Sequence, residues 1–120
     1  MIIAVGVDIV ELVRIKDVWQ RHPERFLYKH FTPEEIKYCR SKADPLASIA
    51  SRFAAKEAFQ KCWPDNHGWQ DVWVEMEGVK PKLHFSETIT KRMQEQNLVT
   101  HLSLSNEKQY ATAVVILEQR

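Results

Sequence analysis

The stretch Arg52-Phe53-Ala54-Ala55-Lys56-Glu57-Ala58-Phe59-Gln60-Lys61 constrains this chain most, because it sets an acid and a base into the apolar part of a helix. At about 100° per residue, Glu57 and Lys61 fall among Ala50, Phe53, Ala54 and Ala58. Arg52, Lys56 and Gln60 are expected to share its one polar side. Burying a carboxylate or an ammonium without partners is costly. The two charges therefore require either a partly solvated face, where an i,i+4 Glu-Lys pair contributes about 0.2–0.5 kcal/mol, or a chemical use.

Length and composition narrow the choices. A chain of 120 residues is expected to form one domain over 1–120, with a single core. Its 44% hydrophobic and 28% charged residues exclude wholesale disorder, and no apolar run is long enough to span a bilayer. The N-terminus carries Asp8 inside its apolar run and no basic leader, which suits a strand rather than a signal peptide. Cys39 and Cys62 form no CxxC pair and are read as reduced thiols of a cytoplasmic protein. A net charge of +1 gives no case for nucleic acid as a partner, and the five histidines lack zinc-ligand spacing. From Glu11 to His30 the chain is modestly basic, with Arg14, Lys16, Arg21, Arg25 and Lys29 against Glu11, Asp17 and Glu24.

The order of elements follows from periodicity and punctuation. A strand is expected over about Ile2–Val10, with Ile3, Val5, Val7 and Ile9 on one face and Ala4, Gly6, Asp8 and Val10 on the other. Gly6 leaves room for something to approach the backbone beside that strand's only charge. A helix from about Leu12 fades before Pro23. Phe31-Thr32-Pro33-Glu34-Glu35-Ile36 is a complete helix start, with Thr32 as cap, Pro33 at the first position and Glu35 closing a capping box. A third helix covers about Pro45 to Cys62, followed by a loop through Gly68. Strands then alternate over Val72–Glu77 and about Lys82–Phe85, separated by a turn at Gly78-Val79-Lys80-Pro81. Ser86 is expected to cap a helix, and strands at about His101–Ser105 and Tyr110–Leu117 close the chain. This β-α-α-α-β-β-α-β-β order is that of an α+β domain.

Asp8 and Glu57, two acids in apolar settings, could share one divalent cation. Hard oxygen ligands favour Mg²⁺, which takes one or two carboxylates and completes its shell with water and substrate phosphates. Lys61, one turn beyond Glu57, could face a phosphate. Such a set suits phosphate-group transfer, although the spacing alone does not show that the two acids meet.

Four segments together resemble the holo-(acyl carrier protein) synthases, the short class of 4'-phosphopantetheinyl transferases. They are Gly6-Val7-Asp8-Ile9-Val10-Glu11 with Arg14-Ile15, Phe31 to Ile36, Arg52 to Ala58, and Leu102-Ser103-Leu104-Ser105 with Ala111 and Ala113. They occur in the family's order and cover nearly the whole chain. The resemblance implies transfer of the phosphopantetheine arm of coenzyme A to a serine of an acidic acyl carrier protein, releasing adenosine 3',5'-bisphosphate. It implies Asp8 and Glu57 as Mg²⁺ ligands and Lys61 at the phosphates and leaving group, with Glu57 as base directly or through water. Arg52, Lys56, Lys61, Trp63, Lys80, Pro81, Ser105 and Asn106 are the implied coenzyme A contacts. Arg14, with Arg21 and Arg25, is the implied carrier-protein contact, and a homotrimer with active sites between subunits is implied too.

Three departures accompany the likeness. The family's glycine-rich loop is replaced by Cys62-Trp63-Pro64-Asp65-Asn66-His67-Gly68, where Trp63 is expected to compensate by stacking on the adenine. Asn106 stands where histidine is common, and Gly78-Val79-Lys80-Pro81 has one residue more than the family's Gly-Lys-Pro. An altered loop keeps a second reading open, a non-catalytic relative that binds a carrier protein or coenzyme A. Retention of Asp8, Glu57 and Lys61 favours the enzyme.

Overall fold

A computed structural model describes residues 1–120. In chain order it contains β1 (Ile2–Glu11), α1 (Leu12–Arg21), α2 (Pro23–His30), α3 (Pro33–Arg40), α4 (Pro45–Cys62), β2 (Val72–Glu77), β3 (Lys80–Phe85), α5 (Glu87–Glu95), β4 (Leu98–Asn106) and β5 (Tyr110–Gln119). A 3-10 turn at Trp69–Asp71 leads into β2. The expected α+β order is present, with α2 as one further helix. Pro23 is the reason: it starts that helix at the first position, where a missing N–H costs nothing, as well as marking the end of α1.

The strands form two antiparallel sheets, β1-β5-β4 and the hairpin β2-β3. Lys80 pairs with Glu77, so the hairpin turns on Gly78-Val79 alone and β3 begins two residues earlier than periodicity suggested. Gly78 supplies the positive φ of 64° that a two-residue turn needs at its first position. The capping box of α3 is formed as its sequence requires. Ser86 precedes α5 but makes no side-chain cap bond, and its hydroxyl is unpartnered.

Helix α4 lies across the inner face of the three-stranded sheet, on β1 and β5. Ala111, Ala113, Val115 and Leu117 of β5 face it and are buried. One apolar core fills the space between α4, this sheet, the hairpin and α5, and a second lies under α1, α2 and α3. Covered on both flanks, α4 has a different polar side from the one its sequence suggested. Arg52 and Lys56 are 5% and 2% exposed, while Glu57 is half-buried and Lys61 is exposed. The outer sheet face is apolar and open: Val5 is 61% exposed and Ile9 64%. Val7 pairs there with Val114 and Val5 with Ile116. No helix is long and apolar enough to cross a membrane.

Candidate active site

The site begins with a glycine. A Cβ on Gly6 would lie 2.0 Å from the Ala58 carbonyl oxygen and 2.9 Å from Cys62 Sγ. Only hydrogen fits, so what approaches the β1 backbone at Gly6 is α4 itself. Two residues along β1, Asp8 faces the same side and meets the helix one turn further on. There Lys61 Nζ donates to the Val7 carbonyl at 2.7 Å and lies 3.4 Å from Asp8 Oδ1. Asp8 is largely covered, its side chain 17% exposed, whereas that of Lys61 is 54% exposed.

Glu57 joins this pair. Its carboxyl is held above the ordinary carboxylate range, first by partial burial and then by the charge of Asp8, with Lys61 pulling the other way. The arrangement is two acids in mutual repulsion beside one ammonium. No third acid, histidine or cysteine completes a protein cage for a metal. A cation here would have two carboxylates and otherwise water or a ligand's oxygens, which is the donor set Mg²⁺ accepts.

Of the residues expected to hold coenzyme A, Lys61 belongs to this cluster and the others lie elsewhere. Arg52, Pro81 and Asn106 line a separate cavity of about 200 Å³ with Tyr38, Ser48 and Ser51. Arg52 stacks on Tyr38, 4.6 Å from the ring centre, and donates to the Ser48 carbonyl, while its buried Nε has no partner. Asn106 Nδ2 lies 3.4 Å from Ser51 Oγ. Ser105 and Lys80 are exposed nearby in the chain. Ser51 was not singled out in the sequence; a serine next to Arg52 on a helix carries no signal until β4 ends against it.

Two of the expected coenzyme A contacts have partners within the chain. The Lys56 ammonium is spent on Glu35 Oε1 at 2.7 Å and the carbonyls of His30 and Trp69. Trp63, expected to stack on adenine, is covered by the protein. It is 7% exposed, stacked on Phe59 at 5.5 Å and covered by the Arg92 guanidinium at 5.2 Å. Arg92 also pairs with Asp65, tying the loop after α4 to α5.

On the far side of β1, Arg14 edges a groove of about 400 Å³ floored by Ile15, Val18, Phe26, His30 and Phe53. Arg14 and Arg21 stand seven residues apart on one face of α1, paired loosely with Glu11 at 3.6 Å and Asp17 at 3.3 Å. Arg25 is exposed on α2. Burial holds His30 below its usual value, so the groove floor is uncharged at neutral pH. Phe26 and His30 escaped notice because they are one turn apart on the helix that periodicity did not reveal.

The chain is similar to known proteins over nearly its whole length. The family model of the 4'-phosphopantetheinyl transferase superfamily matches residues 4–115. A holo-[acyl-carrier-protein] synthase of Thermus thermophilus is 50% identical over 120 residues, covering 100% of this chain and 96% of that protein. Among solved structures, the synthase of Neisseria meningitidis has a TM-score of 0.90 at 30% identity, covering 99% of this chain and 100% of that one. A Bacillus anthracis synthase in complex with coenzyme A (3',5'-ADP) has a TM-score of 0.81 at 29% identity, covering 100% and 99%. With its glycine-seated acid pair, its α+β order and these full-length likenesses, the chain belongs to the 4'-phosphopantetheinyl transferase superfamily, in its holo-(acyl carrier protein) synthase class.

Proposed function

We propose that this enzyme transfers the 4'-phosphopantetheine arm of coenzyme A to a serine of an apo acyl carrier protein, with Mg²⁺ held by Asp8 and Glu57. The observation that carries the reading is the meeting of Asp8 with Glu57 and Lys61, 49 and 53 positions further along the chain, over a glycine that admits no side chain. Bound between the two carboxylates, the metal would gather the negative charge of the pyrophosphate. The serine hydroxyl attacks the phosphorus that carries the pantetheine arm, and the bond from that phosphorus to the bridging oxygen breaks. Glu57, raised toward neutrality, takes the serine proton directly or through water. Lys61 is half-exposed and fixed by the Val7 carbonyl, and it faces the phosphates and the departing adenosine 3',5'-bisphosphate.

Arg14 and its basic neighbours dock the acidic carrier protein. An apolar floor under a basic rim offers that partner burial and charge at once. Arg52 and Asn106 serve coenzyme A from their separate cavity. Arg52 and Lys61 lie nine residues apart on α4, about 180° around the helix. That separation supports active sites shared between subunits. The open apolar sheet face around Val5, Val7 and Ile116 suits the implied homotrimer. Incubation with coenzyme A, Mg²⁺ and an apo carrier protein, followed by mass spectrometry of the carrier, tests the reading. A carrier that stays at its apo mass would leave the protein a binder rather than a transferase.

A further inference from the structure

Lys56 is the immediate neighbour of Glu57, yet it takes no part in the cluster just described. Its three ammonium hydrogens have three acceptors: Glu35 Oε1 at 2.7 Å, the His30 carbonyl at 2.7 Å and the Trp69 carbonyl at 3.0 Å. Glu35 is equally occupied. Its Oε1 also accepts the Thr32 N–H at 3.1 Å, and its Oε2 accepts the Val74 N–H at 2.9 Å. The side chains are 2% and 0% exposed. Through these bonds the end of α2, the start of α3, the 3-10 turn and β2 all converge on one point of α4. A buried ion pair is weak evidence for stability, since desolvation offsets its attraction. What it supplies here is direction.

We propose that Lys56 is a positioning residue for phosphopantetheinyl transfer: anchored by Glu35 and two carbonyls, it fixes the rotation of α4 so that Glu57 and Lys61 meet Asp8. This inference rests on the reading of Glu57 and Lys61 as the reacting pair. On its opposite flank α4 meets β1 and β5 with small residues, Ala54 and Ala58, and touches Gly6 backbone to backbone, a contact that sets distance more than rotation. Lys61 is a flexible, half-exposed side chain and cannot hold the helix by its single bond to Val7. Any turn of α4 about its axis swings Glu57 through the same angle, and misplacement by about 1 Å can cost about 10²-fold in rate.

The test uses two variants of the full chain. Lys56→Met with Glu35→Gln removes both buried charges together and leaves an acceptor for the α3 cap. At a temperature where its melting curve shows it folded, kcat is expected to fall by about 10-fold or more, with the apparent KM for coenzyme A within about 3-fold. The Lys61 ammonium, followed by nitrogen NMR, is expected to lose its bond to the Val7 carbonyl as α4 turns. Glu35→Gln alone keeps both carbonyl bonds of Lys56 and is expected to hold kcat within about 3-fold. Parental kcat and a parental Lys61 signal in the folded double variant would overturn the inference. So would a double variant that fails to fold, because Lys56 would then serve the fold itself. Absence of transfer by the parent protein would instead overturn the proposed function, and the Lys61 signal would still decide the role of Lys56.

Discussion

Lys56 and Lys61 stand five residues apart on one helix and meet opposite environments. Lys56 is sealed, its charge matched by Glu35 and its remaining hydrogens by carbonyls. Lys61 is 54% exposed and holds only a carbonyl and a loose carboxylate, so it keeps capacity for an anion. Amphipathic reasoning reverses the two, because it assumes one covered face. Helix α4 is covered by the sheet on one flank and by α3 and β2 on the other, so its solvated edge is narrow. In such a helix, exposure follows from what packs alongside and not from the clustering of polar residues.

The contrast is broken or sharpened most strongly by removing charges on each side. Asp8→Ala and Glu57→Ala should each lower transfer by about 10²-fold or more while melting near the parent. Lys56→Met, with Glu35 intact, strands a buried carboxylate and should cost about 3–5 kcal/mol of stability. A Glu57→Ala protein that melts like Lys56→Met would erase the distinction. The next effect in size belongs to Trp63. Trp63→Ala should cost about 3–5 kcal/mol in denaturant unfolding yet leave coenzyme A affinity in calorimetry near the parent. Weakened binding at unchanged stability would restore the indole to the ligand.

Smaller effects sit at the rim. Arg14→Glu should raise the apparent KM for carrier protein by about 10-fold and hardly alter that for coenzyme A, and added salt should weaken the parent in the same sense. Equal shifts for both substrates would move Arg14 into the pocket. The smallest is a pH effect from Glu57, whose carboxyl sits above its usual 4.5. As pH rises from there toward the raised value, the unfolded chain loses this proton first and stability falls. Without added metal, Glu57→Gln should therefore melt slightly higher than the parent near neutral pH. A Glu57→Gln protein that melts below the parent there would show that the carboxylate stabilises the fold instead.

Much of this was legible in local sequence. Thr32, Pro33 and Glu35 announce α3 because a capping box is made within four residues, and Gly6 announces a close approach because only glycine tolerates one. The motif singles out Lys61, but its meeting with Asp8 shows only once the strand is laid against the helix. Glu35 was read for its cap and not for Lys56, since the pair is 21 residues apart and no periodicity links it. The burial of Trp63 is hidden in the sequence for the same reason: its covers, Phe59 and Arg92, include a helix that arrives only after the hairpin.

Gly6 carries a consequence for ion size. The gap between the two acids is set by how closely α4 settles on β1, and that in turn by a position where a methyl group would come within 2.0 Å of a carbonyl oxygen. Mg²⁺ binds oxygen at about 2.0–2.1 Å and Ca²⁺ at about 2.3–2.6 Å. Gly6→Ala, by lifting the helix, should widen the gap and shift preference from Mg²⁺ toward larger ions such as Ca²⁺, read as competition between the two in a binding titration. An unchanged preference would mean that the carboxylates adjust by side-chain rotation. Otherwise, a residue with no side chain discriminates between metals it never touches.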